Sequence, residues 1–218
     1  SEILPDIPDI PEPMIIRAAR DACIRFCEQA HVWKYTLDPI DIVEDTQDYT
    51  LTIPVDLYAS LVGVPEEGVY YKADGLDDDQ YSKLDCLSEQ ITSRQETHAW
   101  KFETGTGPTS FWIDNIDKQL HLRPIPTDAS ADGLLVTAIL KPSSTCTTIP
   151  NFLYDDFRKE IGFGALSFLY KQRKMSWFDP EMYAIKESLF CSEITNAKLK
   201  SIIGATTKQI SLNIPFFC

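Results

Sequence analysis

Several things are scarce in this sequence, and each scarcity removes a class of function. No apolar run approaches the roughly 20 residues that a helix needs to cross a bilayer, so membrane embedding is not expected. The first residues, Ser1-Glu2-Ile3-Leu4-Pro5-Asp6, have neither the basic start nor the apolar stretch of a secretory signal. They also lack Met, which suggests that an initiator or a short leader has been removed. Positive charge is in short supply: 20 Lys and Arg stand against 33 Asp and Glu, a formal charge of -13. A protein that grips nucleic acid needs cations to displace phosphate counterions. Tight DNA or RNA binding is therefore not the expected task, although DNA can pass a negative wall that repels it.

Metal and redox chemistry are equally thin. Six cysteines form no C-x-x-C pair, and Cys23 and Cys27, the nearest two, stand one helical turn apart. Reduced thiols packed in a core are the expectation. His31, His98 and His121 are too dispersed for a zinc pattern. There is no G-x-S-x-G, no phosphate-cradling glycine loop and no H-E-x-x-H. Asp38 with Asp41, or Glu66 with Glu67, are the nearest things to acid/base pairs, and surface solvation accounts for them. No catalytic residue, cofactor or metal is expected.

What is present is an ordinary core former, 218 residues with 44% hydrophobic side chains. Pro5, Pro8, Pro11 and Pro13 forbid helix and sheet over residues 1–13, so this stretch reads as an extended arm laid over a neighbour. A helix follows, with Ile15, Ala19, Ala22, Cys23, Phe26 and Ala30 at three- and four-residue steps and Arg17, Arg20, Asp21, Arg25 and Glu28 on its other face. From about residue 35 the period falls to two. Tyr49, Leu51 and Ile53 alternate with polar residues until Pro54, and Phe111 to Ile113, Leu120 to Arg123 and Leu134 to Leu140 read as further strands. The last is apolar at both parities and should be covered on both faces. Asp114-Asn115 and the Pro124/Pro126 pair read as turns. Residues 64–107 read as long loops around one or two weak strands, with Asp77-Asp78-Asp79 a solvated turn.

Asn151 is a suitable N-cap for a second helix whose buried stripe is Phe157, Ile161, Ala165, Phe168 and Leu169. Gly162 and Gly164 each cost this helix roughly 1 kcal/mol relative to alanine, which predicts another backbone close by. Asp179-Pro180 starts a third helix with the stripe Ile185, Leu189, Phe190, Ile194 and Ala197, ending near Gly204. In the final segment, Ile210, Leu212 and Ile214 alternate with polar residues, then Phe216 and Phe217 follow Pro215. So apolar a terminal stretch must be buried, in its own subunit or on a partner. The expected fold is α+β, a small three-helix bundle (14–33 and 150–203). An antiparallel β insertion (34–149) separates helices 1 and 2, and an extended tail (204–218) closes the chain.

Ordered local strings then support a resemblance. Ile16-Arg17-Ala18-Ala19-Arg20-Asp21-Ala22-Cys23-Ile24-Arg25-Phe26-Cys27 is followed by Val32-Trp33, Leu37-Asp38-Pro39-Ile40 and Leu140-Lys141-Pro142-Ser143. After these come Glu160-Ile161-Gly162-Phe163-Gly164-Ala165-Leu166 and Trp177-Phe178-Asp179-Pro180. Together they span most of residues 13–195. In this order they resemble the head-to-tail adaptors of tailed bacteriophages, also called neck connectors or head-completion proteins, with the tail tubular A proteins as relatives. The resemblance implies a homo-oligomeric ring, commonly a dodecamer, assembled in the host cytoplasm and seated in the virion neck. Its helices would pack subunit to subunit, while Phe26, Phe157, Ile161, Gly162, Gly164, Ala165, Leu189 and Ile194 are the residues expected to pack helix on helix within the bundle. Its β part would face a tail, nozzle or stopper protein, and its C-terminal segment the portal protein. DNA would leave the head through the ring without specific binding. The family has no catalytic residues, so none are transferred. A stopper or tail terminator is the nearest alternative. A sugar-binding module with Trp100, Phe102, Phe111 and Trp112 as its platform is another.

Overall fold

In the computed structural model, residues 7, 10–77, 80–87, 102–114, 116–146 and 148–204 are described. The chain is α+β, with one N-terminal helix, two packed C-terminal helices, and antiparallel sheets inserted between the first and second helix. It divides into two compact units, residues 1–32 with 157–218, and residues 33–156.

The helical unit is built on α1 (Glu12–Ala30), the later part of α2 (Asn151–Tyr170) and α3 (Pro180–Ile203). Pro13 sits in the first turn of α1, where a missing N–H costs nothing. His31 closes the helix in the left-handed region (φ 55°), its N–H donating to the Cys27 carbonyl at 3.1 Å. The buried line is Ala18, Ala22, Cys23, Phe26, Cys27 and Ala30. Ile15 and Ala19, expected on it, are half-buried, because the line turns towards Ala18 and Cys27. α3 begins as its sequence requires: Pro180 is its first residue, and Asp179 Oδ1 accepts from the Glu181 and Met182 N–H groups, both at 3.0 Å. Gly204 (φ 71°) closes it. The core centres on Phe26, whose ring lies 5.0 Å from Phe157 and 6.2 Å from Phe190. Ile7 and Ile10 of the N-terminal arm are buried within their own chain, where the sequence suggested contact with a neighbour.

The β unit is organised by its longest strand. We number the strands β1 (Lys34–Thr36), β2 (Ile40–Ile42), β3 (Asp48–Thr50), β4 (Ala59–Gly63), β5 (Val69–Tyr71), β6 (Ser82–Lys83) and β7 (Asp85–Cys86). They continue with β8 (Thr104–Gly105), β9 (Ser110–Ile113), β10 (Gln119–Arg123), β11 (Ile125–Pro126) and β12 (Ser130–Pro142). β12 has antiparallel partners on both sides, β2 and β5 at Leu134, β1 and β4 at Ile139. Its Leu134, Val136, Ala138 and Leu140 are fully buried on one face. The other face is only partly covered, with Ile139 buried and Leu135 and Thr137 half-buried, so the strand is not enclosed along its whole length on both sides. A second sheet runs β3-β10-β9-β7. Tyr49, Leu120, Leu122 and Phe111 from it join the buried face of β12 in one core. The sheets are not wholly antiparallel, since β7 joins β9, and β8 joins β11, in parallel.

Several sequence expectations change here. The strand beginning at Asp48 ends at Thr50, though Leu51 beyond it is buried. Residues 64–107 hold four short strands, β5 to β8, among their described residues. Ile125–Pro126 is a short strand paired with Thr104–Gly105 and not merely a turn. Asp114 does make the expected turn, its Oδ1 accepting from the N–H groups of Ile116 and Asp117. Asn151 is the first residue of α2 and not the residue before it, and Phe152 packs on the β core with its ring 6.2 Å from Trp33. That packing carries the β unit to Asp156, beyond the expected limit at 149.

Candidate functional site

α3 presents two faces of the same period. Tyr183, Glu187, Phe190, Ile194, Ala197 and Ser201 follow steps of four and three residues and form the inward face. Phe190, Ile194 and Ala197 are buried, and Ser201 Oγ donates to the Ala30 carbonyl of α1 at 3.1 Å. Ile185, Leu189, Ser192, Asn196, Leu199 and Ile203 follow the same steps on the opposite face. The four apolar members of that row remain open, Ile185 47%, Leu189 41%, Leu199 53% and Ile203 39% exposed. A helix apolar on opposite sides is one that expects cover on both. Ile185 and Leu189, expected in the core stripe, belong instead to this outer row, so Leu189 is not an internal packing residue.

The inward face carries a polar cluster that the sequence did not reveal. Arg25 of α1, expected on a solvated face, is half-buried and donates from Nη2 to Glu187 Oε1 at 2.6 Å. Its guanidinium also lies 5.2 Å from the centre of the Phe190 ring. Ser167 Oγ of α2 donates to Glu187 Oε2 at 3.0 Å. The Arg25 hydrogen bond holds the Glu187 carboxyl below its usual range, against the opposing effect of burial and with help from Ser167. One carboxylate thus links all three helices. Arg25 and Glu187 stand 162 positions apart, and no local pattern connects them.

Beside this cluster, Gly164 permits a close approach. A Cβ there would lie 2.7 Å from Cζ of the buried Phe190 ring. The neighbour at Gly164 is thus an aromatic side chain, where the sequence suggested a backbone. Ile161, Ala165 and Leu169 are buried as expected, and Gly162 is buried too, but Phe157 and Phe168 are only half-buried. Phe157 interrupts the helix with φ -130° and ψ 18°.

The other predicted groups are scattered. Ile210, Leu212, Ile214, Phe216 and Phe217 lie outside the described residues, as does Trp100. Phe111 faces the β core, Phe102 is 75% exposed, and Trp112 stacks on His121 with centroids 4.9 Å apart. His121 Nδ1 is 2.7 Å from Asp48 Oδ1. Cys23 and Cys27 are both buried, and burial pushes the Cys27 thiol well up. Among the described residues no group of His, Cys, Asp and Glu is arranged to hold a metal ion. No helix is long and apolar enough to cross a membrane among the described residues.

Charge is divided unevenly. The β unit has 22 acidic against 8 basic residues, whereas the residues assigned to the helical unit include 11 acidic and 12 basic. The first therefore bears -14 and the second +1. No family model and no curated protein matches this chain.

Proposed function

We propose that this chain is a non-catalytic structural subunit of a tailed-phage particle, a head-to-tail adaptor. Copies assemble into a ring between portal and tail in the virion neck and prolong the channel through which DNA leaves the head. The observation that carries this reading is the outer row of α3, Ile185, Leu189, Leu199 and Ile203, left open on a helix whose opposite face is already packed. Apolar surface of this regularity is stabilised by a protein partner, and a ring supplies one to every copy. The division of charge supports the same reading. A β unit at -14 repels a phosphate backbone and does not hold it, which suits a wall past which DNA must slide. Residues 210–217 supply a further apolar segment for the portal or a neighbouring subunit.

Native mass measurement and negative-stain imaging of the purified chain test the proposal. A closed ring of many copies is expected, a dodecamer being the size that the resemblance implies. A protein that remains monomeric, or stops at a two-fold dimer, at every accessible concentration would overturn it.

A further inference from the structure

We propose that a cleft in the helical unit receives the acidic turn around Leu76 from a second copy of this chain. The cleft has a volume of about 550 Å³. Arg17 of α1, with Lys171 and Arg173 just beyond α2, contribute three cations to its lining. Among the described residues of the lining, Asp21 is the one carboxylate, 3.8 Å from Arg17. Those described residues are therefore net positive in a chain whose total is -13. Phe168 and Met175 add apolar surface to it. Gln172 Oε1, also in the lining, is buried with no hydrogen-bond partner among the described residues.

The β unit carries a segment of matching chemistry. The Leu76 N–H donates to the Ala73 carbonyl at 3.3 Å, closing a turn in which Gly75 has φ 76°. That positive φ at the third turn position is the one that favours glycine. The turn presents Leu76, 46% exposed, between the exposed carboxylates of Asp74 and Asp77. An exposed leucine flanked by acids suits an apolar pocket rimmed by cations, and such complementarity fixes the register of a contact. Each copy owns one cleft and one turn, so the contact is heterologous and propagates from copy to copy. The inference rests on the ring reading, to which it adds a specific pair of surfaces.

Paired charge reversals test it. One full-length variant carries Lys171→Glu and Arg173→Glu, the other Asp74→Lys and Asp77→Lys together with Asp78→Lys and Asp79→Lys, so that the sign of the acidic run is reversed. Each is checked for the melting temperature of the wild type and then examined by sedimentation, alone and in equimolar mixture. Alone, each meets like charge with like and should assemble at least tenfold more weakly than the wild type. Mixed, every turn faces a cleft of opposite sign, so assembly should return. Variants that assemble alone as well as the wild type overturn the inference and leave the ring reading standing. Variants that fail both alone and mixed, with unchanged melting, also overturn it, since the two surfaces then meet something other than each other. A wild-type chain that never self-associates overturns the ring reading itself.

Discussion

At Gly164 and Glu187 the same few ångströms of α2 and α3 set two different constraints. Replacing Gly164 with Ala gains helix propensity of about 1 kcal/mol. It also pushes a methyl group to 2.7 Å from a fully buried ring, and overpacking of that kind costs about 1–3 kcal/mol. Loss should exceed gain, and the urea midpoint of Gly164→Ala is expected to fall by the equivalent of about 1 kcal/mol. A midpoint at or above the wild-type value would mean that Phe190 moves aside freely. Glu187 gives a pH prediction. Its carboxyl is depressed in the folded state by Arg25, so its contribution is fully present above the unfolded carboxylate value of about 4.3 and is lost as pH falls through the folded one. Other acids titrate nearby, so the informative quantity is the difference in urea midpoint between the wild type and Glu187→Gln. It should amount to about 1 kcal/mol at neutral pH, the scale of a partly exposed ion pair with hydrogen bonds, and shrink towards zero as the pH drops below that window. A difference that is constant with pH would show that the charge of Glu187 is not what links the helices.

For helix α3 the useful comparison lies between adjacent residues. Leu189 and Phe190 are neighbours in sequence, yet one is open and the other fully buried. Phe190→Ala should destabilise the chain by about 3–5 kcal/mol. Ile185→Ser with Leu189→Ser should leave the stability of the isolated subunit within about 0.5 kcal/mol while abolishing assembly. Thermal melts at low concentration and sedimentation at high concentration separate the two effects. A double serine variant that still forms rings would remove the outer row from the subunit contact. The same helix shows where periodicity stops being informative. Ile185, Leu189, Phe190, Ile194 and Ala197 all fit a helical stripe, but a helix apolar on both sides yields one merged pattern, and only packing against α1 separates inner from outer. Caps were legible because their chemistry is local, Asp179-Pro180 at one end of α3 and Gly204 at the other. Strand limits were less so, since β12 runs from Ser130 to Pro142 by pairing with four strands distant in sequence. Neither the Arg25–Glu187 contact nor the cleft residues drawn from α1 and the end of α2 leave a trace in local spacing.

Over the whole molecule, the net charge was readable from composition, but its division was not, because the boundaries at Trp33 and Asp156 come from the fold. That division sharpens the expectation about DNA. With the acidic excess spread evenly, every surface would repel a duplex equally. With -14 on the β unit and +1 on the helical unit, repulsion is concentrated on the former, and the latter is close to neutral. The cations gathered at Arg17, Lys171 and Arg173 form a group able to attract phosphate. In the proposed ring that group is occupied by the acidic turn of the next copy, so the assembled particle should bind duplex DNA no better than background. Phosphate contacts are strongest at low salt, and screening shortens the reach of charge to about 8 Å at physiological ionic strength. The demanding condition is therefore a fluorescent duplex at about 50 mM salt with micromolar protein, followed by anisotropy up to about 200 mM. No rise in anisotropy is expected for the assembled protein at any point of the series. A salt-sensitive rise in the assembled wild type would overturn the non-binding channel. Its loss in the Lys171→Glu, Arg173→Glu variant would then assign the cleft to phosphate and not to a neighbouring turn.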